Sequence, residues 1–150
     1  MAGGRELWRR GPIRDRPRGV STGRRAGLWL MSFLYVLAGA MHFVRPEVYL
    51  PMMPPWLPAH RELVLLSGAA EVLLGLLLLL PATRRLAALG IILLLIAVFP
   101  ANLHVALHDV PLFGAEKGAG IGNWIRLPFQ LLLARWAWAY AQAPVEAPRR

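Results

Sequence analysis

Apolar positions in this chain come in blocks about twenty residues long, without the three-to-four-residue alternation of an amphipathic soluble helix. About 20 apolar residues at 1.5 Å each cross the ~30 Å hydrocarbon layer of a bilayer, so each block predicts a membrane-spanning helix. Four are expected, over about 26–44, 63–81, 86–108 and 121–141. The fourth is the least apolar, because Arg126, Pro128, Gln130 and Arg135 interrupt it. Its Trp136, Trp138 and Tyr140 form an aromatic belt suited to one membrane interface, to which Arg135 can snorkel. The expected fold is all-α: a four-helix membrane bundle over residues 26–143, with an Arg-rich tail over 1–25 and a short tail over 144–150.

Between the first two blocks the chain reads RPEVYLPMMPPWLPAHRE, with prolines at 46, 51, 54, 55 and 58. So many missing amide donors forbid a long helix. The interleaved Tyr49, Leu50, Met52, Met53, Trp56 and Leu57 suit a lid in the membrane interface, or a stiff linker anchored by aromatics.

Composition and charge then fix the solvent and the orientation. With 57% hydrophobic residues, the chain has too little polar surface for a soluble fold of 150 residues. Residues 1–25 carry eight arginines against Glu6 and Asp15, a net +6 of the chain's +9, and cannot bury a core. Arg84 and Arg85 make the turn between spans two and three basic, whereas the connections at 45–62 and 109–123 are nearly balanced. Since Lys and Arg are retained on the cytoplasmic side, both termini are expected inside and the Pro-rich segment outside. The tail reads as a topology anchor, with anionic headgroups or nucleic acid as other conceivable contacts; no nucleic-acid role is expected. Arg24 and Arg25 followed by an apolar run ending in Ala38, Gly39 and Ala40 also resemble a signal peptide, but the run continues past that point.

Candidate chemistry is confined to polar groups inside the spans. Glu71 stands in LVLLSGAAEVLLGLLLLL, where a carboxylate costs several kcal/mol unless neutralised, paired or wetted, so it marks a site by default. His42, Glu71, Asn102, Arg126 and Gln130 all fall in the outer half of their spans under this topology, which suggests a polar cavity opening outward. Tyr35, Gly39 and His42 share one helix face, as do Gly68, Glu71 and Gly75, where the glycines permit close helix approach. Asn102 and His104 point roughly 200° apart, so both can face one cavity only if Pro100 distorts the helix. With no cysteine, thiolate chemistry is excluded, and no nucleophilic, metal-hydrolytic or phosphate-loop motif supports catalysis by this chain alone.

The stretches AGAMHFVRPEVYLPMMPPWLP, SGAAEVLLGLLLLLPATRRLAA, VFPANLHVAL and RLPFQLLLARW together resemble the DoxX-like small membrane proteins, over about Tyr35 to Trp136. That resemblance implies a four-helix bundle, with His42, Pro46, Glu71, Pro100, Asn102, Arg126 and Gln130 at motif positions that have no firmly assigned chemical role. Some members of that family look like subunits of quinone-linked thiosulfate oxidation, and others associate with oxidative-stress enzymes. The expected function is an accessory or ligand-binding subunit in an inner membrane, in contact with lipid and with a membrane-complex partner or a second copy.

Several chemistries compete for the cluster. A quinone or lipid headgroup would be held by Arg126, Gln130, His42 and Asn102, with Glu71 exchanging a proton. A structural network would pair Glu71 with Arg126 and use the amides to satisfy helix ends broken by proline. Haem between His42 and His104 is a weaker reading, resting on two isolated histidines. A proton-coupled transporter built on Glu71 lacks the internal repeat that transporters use.

Overall fold

The computed structural model describes residues 22–112 and 115–142, which are helical with no strand among them. Four helices run Thr22–Val44 (α1), His60–Leu79 (α2), Arg84–Leu107 (α3) and Ile121–Ala141 (α4), with single 3-10 turns at Pro46–Val48 and Leu50–Met52. Of the four, α1, α2 and α3 are long and apolar enough to cross a membrane. α4 has the length without the apolarity, because of the polar residues that thin its pattern.

Two helix boundaries differ from expectation for reasons visible in the contacts. α1 starts at Thr22, four residues before Ala26, because the Arg24 guanidinium donates to Ala139 O (2.8 Å) and fastens the helix start to α4. Arg24 and Arg25 are thus helical, and the rest of the expected N-terminal tail lies outside the described residues, as does 144–150. α2 starts at His60, whose Nε2 donates to Pro54 O (3.0 Å) and ties the helix to the Pro-rich segment.

α1 and α2 form one antiparallel hairpin, α3 and α4 a second, and α2 packs against α3 to join them. Thr22, the α2–α3 turn and Ala141 therefore sit at one end, called here the basic end; the Pro-rich segment and the α3–α4 connection form the lid end. The turn is closed by side chains that satisfy orphan carbonyls of α2: Thr83 Oγ1 donates to Leu77 O (2.8 Å), and Arg84 donates to Leu78 O (3.2 Å) and Leu79 O (3.3 Å). Arg84 also places a positive charge at the negative end of the helix dipole.

The main core lies toward the basic end, where Leu28, Met31, Leu78, Ala87, Ala88, Ile91, Ala137 and Tyr140 are buried against one another. Large apolar side chains also cover the outside, Leu86 and Leu131 each being 71% exposed. In water such a surface would aggregate; in lipid it is solvated.

Candidate functional site

Glycine sets the site. A Cβ on Gly39 would stand 2.5 Å from Gly68 O and 2.8 Å from Glu71 Cβ, and one on Gly68 would stand 2.5 Å from His42 Cβ. Only glycine at both positions lets α1 and α2 approach this closely. The approach brings His42 Nδ1 to 3.6 Å from Glu71 Oε2, with the Glu71 side chain 16% exposed. That separation is too long for a hydrogen bond, and the Nδ1 proton goes to Ala38 O at 2.9 Å. Glu71 Oε2 is left buried with no hydrogen-bond partner.

The hydroxyl of Tyr35, a residue 7% exposed, is orphaned in the same way. Tyr35 lies seven residues before His42 on the same face of α1, and it packs at Gly75, one turn along α2 from Glu71, where a Cβ would stand 3.2 Å from Tyr35 Cβ. From the lid, Tyr49 stacks on His42 with ring centroids 3.6 Å apart and planes inclined by 21°. Burial, and then the nearby Glu71 carboxylate, push the Tyr49 phenol up. Tyr35, His42 and Tyr49 thus surround one carboxylate, and the tyrosines form the part of the site that polar-residue spotting missed. Tyr35 was visible in the sequence only as a residue sharing the His42 face.

The expected five-residue cluster divides in two. Asn102 Nδ2 donates to Gln130 Oε1 (3.1 Å), and Gln130 Nε2 donates to Leu95 O in the turn before Pro100. This pairing joins α3 to α4 where Pro100 has removed a helix donor, a structural task. Arg126, one turn from Gln130 on α4, is half-buried and makes no hydrogen bond or ion pair with the described residues. The considered Glu71–Arg126 ion pair is therefore corrected: depth along a span fixes the level of a residue, and here Glu71 meets α1 instead. His104 turns to His108, ring centroids 4.3 Å apart, so it does not join His42. Among the described residues no group of three or more His, Asp and Glu side chains is set to hold a metal ion.

One further polar device escaped the sequence reading. Asp109, at φ +46°, accepts from Gly120 N (2.7 Å) and from the buried Asn123 Nδ2 (2.8 Å), clasping the α3–α4 connection at the lid end. A helix-terminal Asp followed by glycines and an Asn in the first turn of the next helix was the available signal.

Residues 31–141 match the family model described as a domain of unknown function, DUF8561. The chain belongs to that family. No curated protein and no solved structure matches it. The DUF8561 region holds Tyr35, His42, Tyr49 and Glu71 as well as the Asn102–Gln130 pair, and it begins inside α1, at Met31.

Proposed function

We propose that this DUF8561 protein is a DoxX-like, four-span inner-membrane protein that serves as a ligand-binding accessory subunit of a redox or stress-related membrane complex. The site is the Tyr35, His42 and Glu71 cluster, and its ligand is a quinone or a lipid headgroup bearing oxygen atoms. One observation carries the reading: a buried carboxylate oxygen and a buried phenol hydroxyl, in adjacent apolar helices, both lack a hydrogen-bond partner. Native interiors pair such groups, so two orphans beside each other mark the place of a missing partner. A hydroxyl donating to Glu71 and an oxygen accepting from Tyr35 would satisfy both, which a quinol does. The basic residues at the Thr22 and Arg84 end support a cytoplasmic placement of that end, and α4 completes the span set by packing on α3.

Binding is tested by melting the purified protein in mild detergent with decylubiquinone, supplied in its reduced quinol form here and in the tests below, and, separately, with phospholipids. A ligand at 100-fold its dissociation constant should stabilise by about 2.7 kcal/mol, and Glu71→Gln with Tyr35→Phe should abolish the shift. A panel in which nothing moves the melting temperature would leave the site structural. Orientation is tested on intact cells in the cysteine-free background: an impermeant maleimide should label Glu47→Cys and spare Thr83→Cys. Equal labelling of the two would refute the topology.

A further inference from the structure

α1 and α4 close the bundle at one end only. At the basic end Arg24 donates to Ala139 O (2.8 Å), the Tyr140 hydroxyl donates to Arg24 O (3.2 Å), and Gly27 lies against Tyr140 and Trp136. Even with these links, no described Cα of α1 comes within 8 Å of a Cα of α4. The two helices part further on. Met31 is wholly buried, yet Ala38, seven residues on and on the same face of α1, is exposed. On α4, Trp136 packs on the core, yet Phe129, seven residues before it on the same face, is 56% exposed. On α1 it is the edge carrying Gly27, Leu34 and Ala38 that opens toward the lid end, while Tyr35 and His42 beside it stay buried against α2; on α4 the Phe129 side opens.

The register locates what the opening reaches. Arg24 pairs with Tyr140, so fourteen residues along α1 and back along α4, about 21 Å, set Ala38 level with Arg126. Arg126 shares a face of α4 with the buried Gln130 and Ala137, which is the side turned to the bundle interior. Glu71 shares a face of α2 with the buried Val64, Gly68, Gly75 and Leu78, so it too is turned inward. The opening thus has apolar jambs, Ala38 and Phe129, and leads toward a guanidinium, a phenol hydroxyl and a carboxylate oxygen that accept or donate no hydrogen bond among the described residues.

Entry from above is covered by the lid segment, whose Tyr49 stacks on His42 and whose Pro54 is fully buried. The other lateral recess, a groove of about 260 Å³ between α3 and α4 lined by residues such as Ile96, Phe99 and Leu131, offers no such set of groups. Its polar lining is Gln130, already engaged by Asn102 and Leu95.

We propose that the lid half of the α1–α4 seam is a lateral doorway from the bilayer, admitting an amphiphile with a quinone-type head and an apolar tail to Tyr35, Glu71 and Arg126. This rests on the binding reading above and adds the route and the role of Arg126. In its reduced, quinol form one ring hydroxyl oxygen accepts from the Arg126 guanidinium, the opposite hydroxyl accepts from Tyr35 and donates to Glu71, and the tail lies between Ala38 and Phe129. Membrane-dissolved ligands need such a side entrance, since the aqueous face is closed to their tails.

The test is equilibrium binding of decylubiquinone to detergent-purified full chain. Ala38→Trp, which fills the doorway, should weaken binding by about tenfold or more, whereas Leu131→Trp, in the other groove, should leave it unchanged. Equal affinities for wild type and Ala38→Trp would overturn the doorway. A ligand-free measurement guards against misfolding: a spin label at Ala38→Cys in proteoliposomes should collide with dissolved oxygen as a lipid-exposed site does, and one at Met31→Cys should be shielded. Shielding at both positions would refute the open seam alone. If wild type binds no quinone while the Ala38 label is lipid-accessible, the binding reading itself fails and the doorway falls with it.

Discussion

The two ends of the helix assembly solve opposite problems. At the basic end, Leu28, Met31, Leu78, Ala88 and Ile91 pack without polar interruption, the α2–α3 turn caps its carbonyls through Thr83 and Arg84, and Arg24 bonds α1 to α4. At the lid end the helices meet through glycine contacts and proline-disturbed turns, two buried polar atoms stay unpartnered, and the α1–α4 seam parts. Neither end explains the other. A fold that caps Leu77 O, Leu78 O and Leu79 O at its basic turn has no need to strand the Glu71 carboxylate oxygen two turns away along α2, about 12 Å, or the Tyr35 phenol packed beside it. The contrast places the well-packed core at the basic end and the groups of the proposed binding site toward the lid end.

Substitutions can break that division, and the largest effect belongs to the packed end. Ile91 is completely buried, and Ile91→Ala should cost about 2 kcal/mol or more, the lost term in lipid being packing contacts. Thermal unfolding in detergent measures it, and a loss under about 0.5 kcal/mol would mean the core is not where the stability lies.

Next comes Gly39→Ala, whose Cβ would meet backbone at Gly68 O and Val72 N, atoms that cannot rotate away. About 1–3 kcal/mol of overpacking is expected, with the His42–Glu71 approach lost along with any ligand response. Melting with and without decylubiquinone reads both, and full tolerance of alanine would show that the helices can separate freely.

Gln130→Leu sharpens the distinction within the lid end. It removes the bonds from Asn102 and to Leu95 O, and should cost about 1–3 kcal/mol in the unliganded protein. If Gln130→Leu instead kept full stability and lost only binding, Gln130 would belong to the ligand site and the two-cluster division would be wrong.

Much of this was legible in the sequence. Apolar blocks placed α2, α3 and α4 to within three residues of their boundaries, because length and apolarity decide where helix is stable in lipid. Gly68, Glu71 and Gly75 announced a tight helix face. What stayed hidden was azimuth and reach: Glu71 was legible as an inward carboxylate, but whether it would meet His42 or Arg126 depends on which helices pack, and α1 packs on α2 through the glycines. The Asn102–Gln130 bond needed the α3–α4 register, and the Asp109–Asn123 clasp depended on a left-handed backbone at Asp109 that no periodicity encodes.

The stability of unliganded Glu71→Gln most directly tests whether the polar groups of the lid end exist for binding. The exchange keeps the shape of the side chain and removes its charge. Glu71 Oε2 accepts no hydrogen bond, and the group nearest it, His42 Nδ1 at 3.6 Å, is bonded to Ala38 O, so the amide loses little and a neutral group is cheaper to bury. Purified Glu71→Gln should therefore melt at or above the wild-type temperature while failing to respond to decylubiquinone. A fall worth more than about 1 kcal/mol, with or without a ligand response, would show that Glu71 holds the bundle together and would contradict the account.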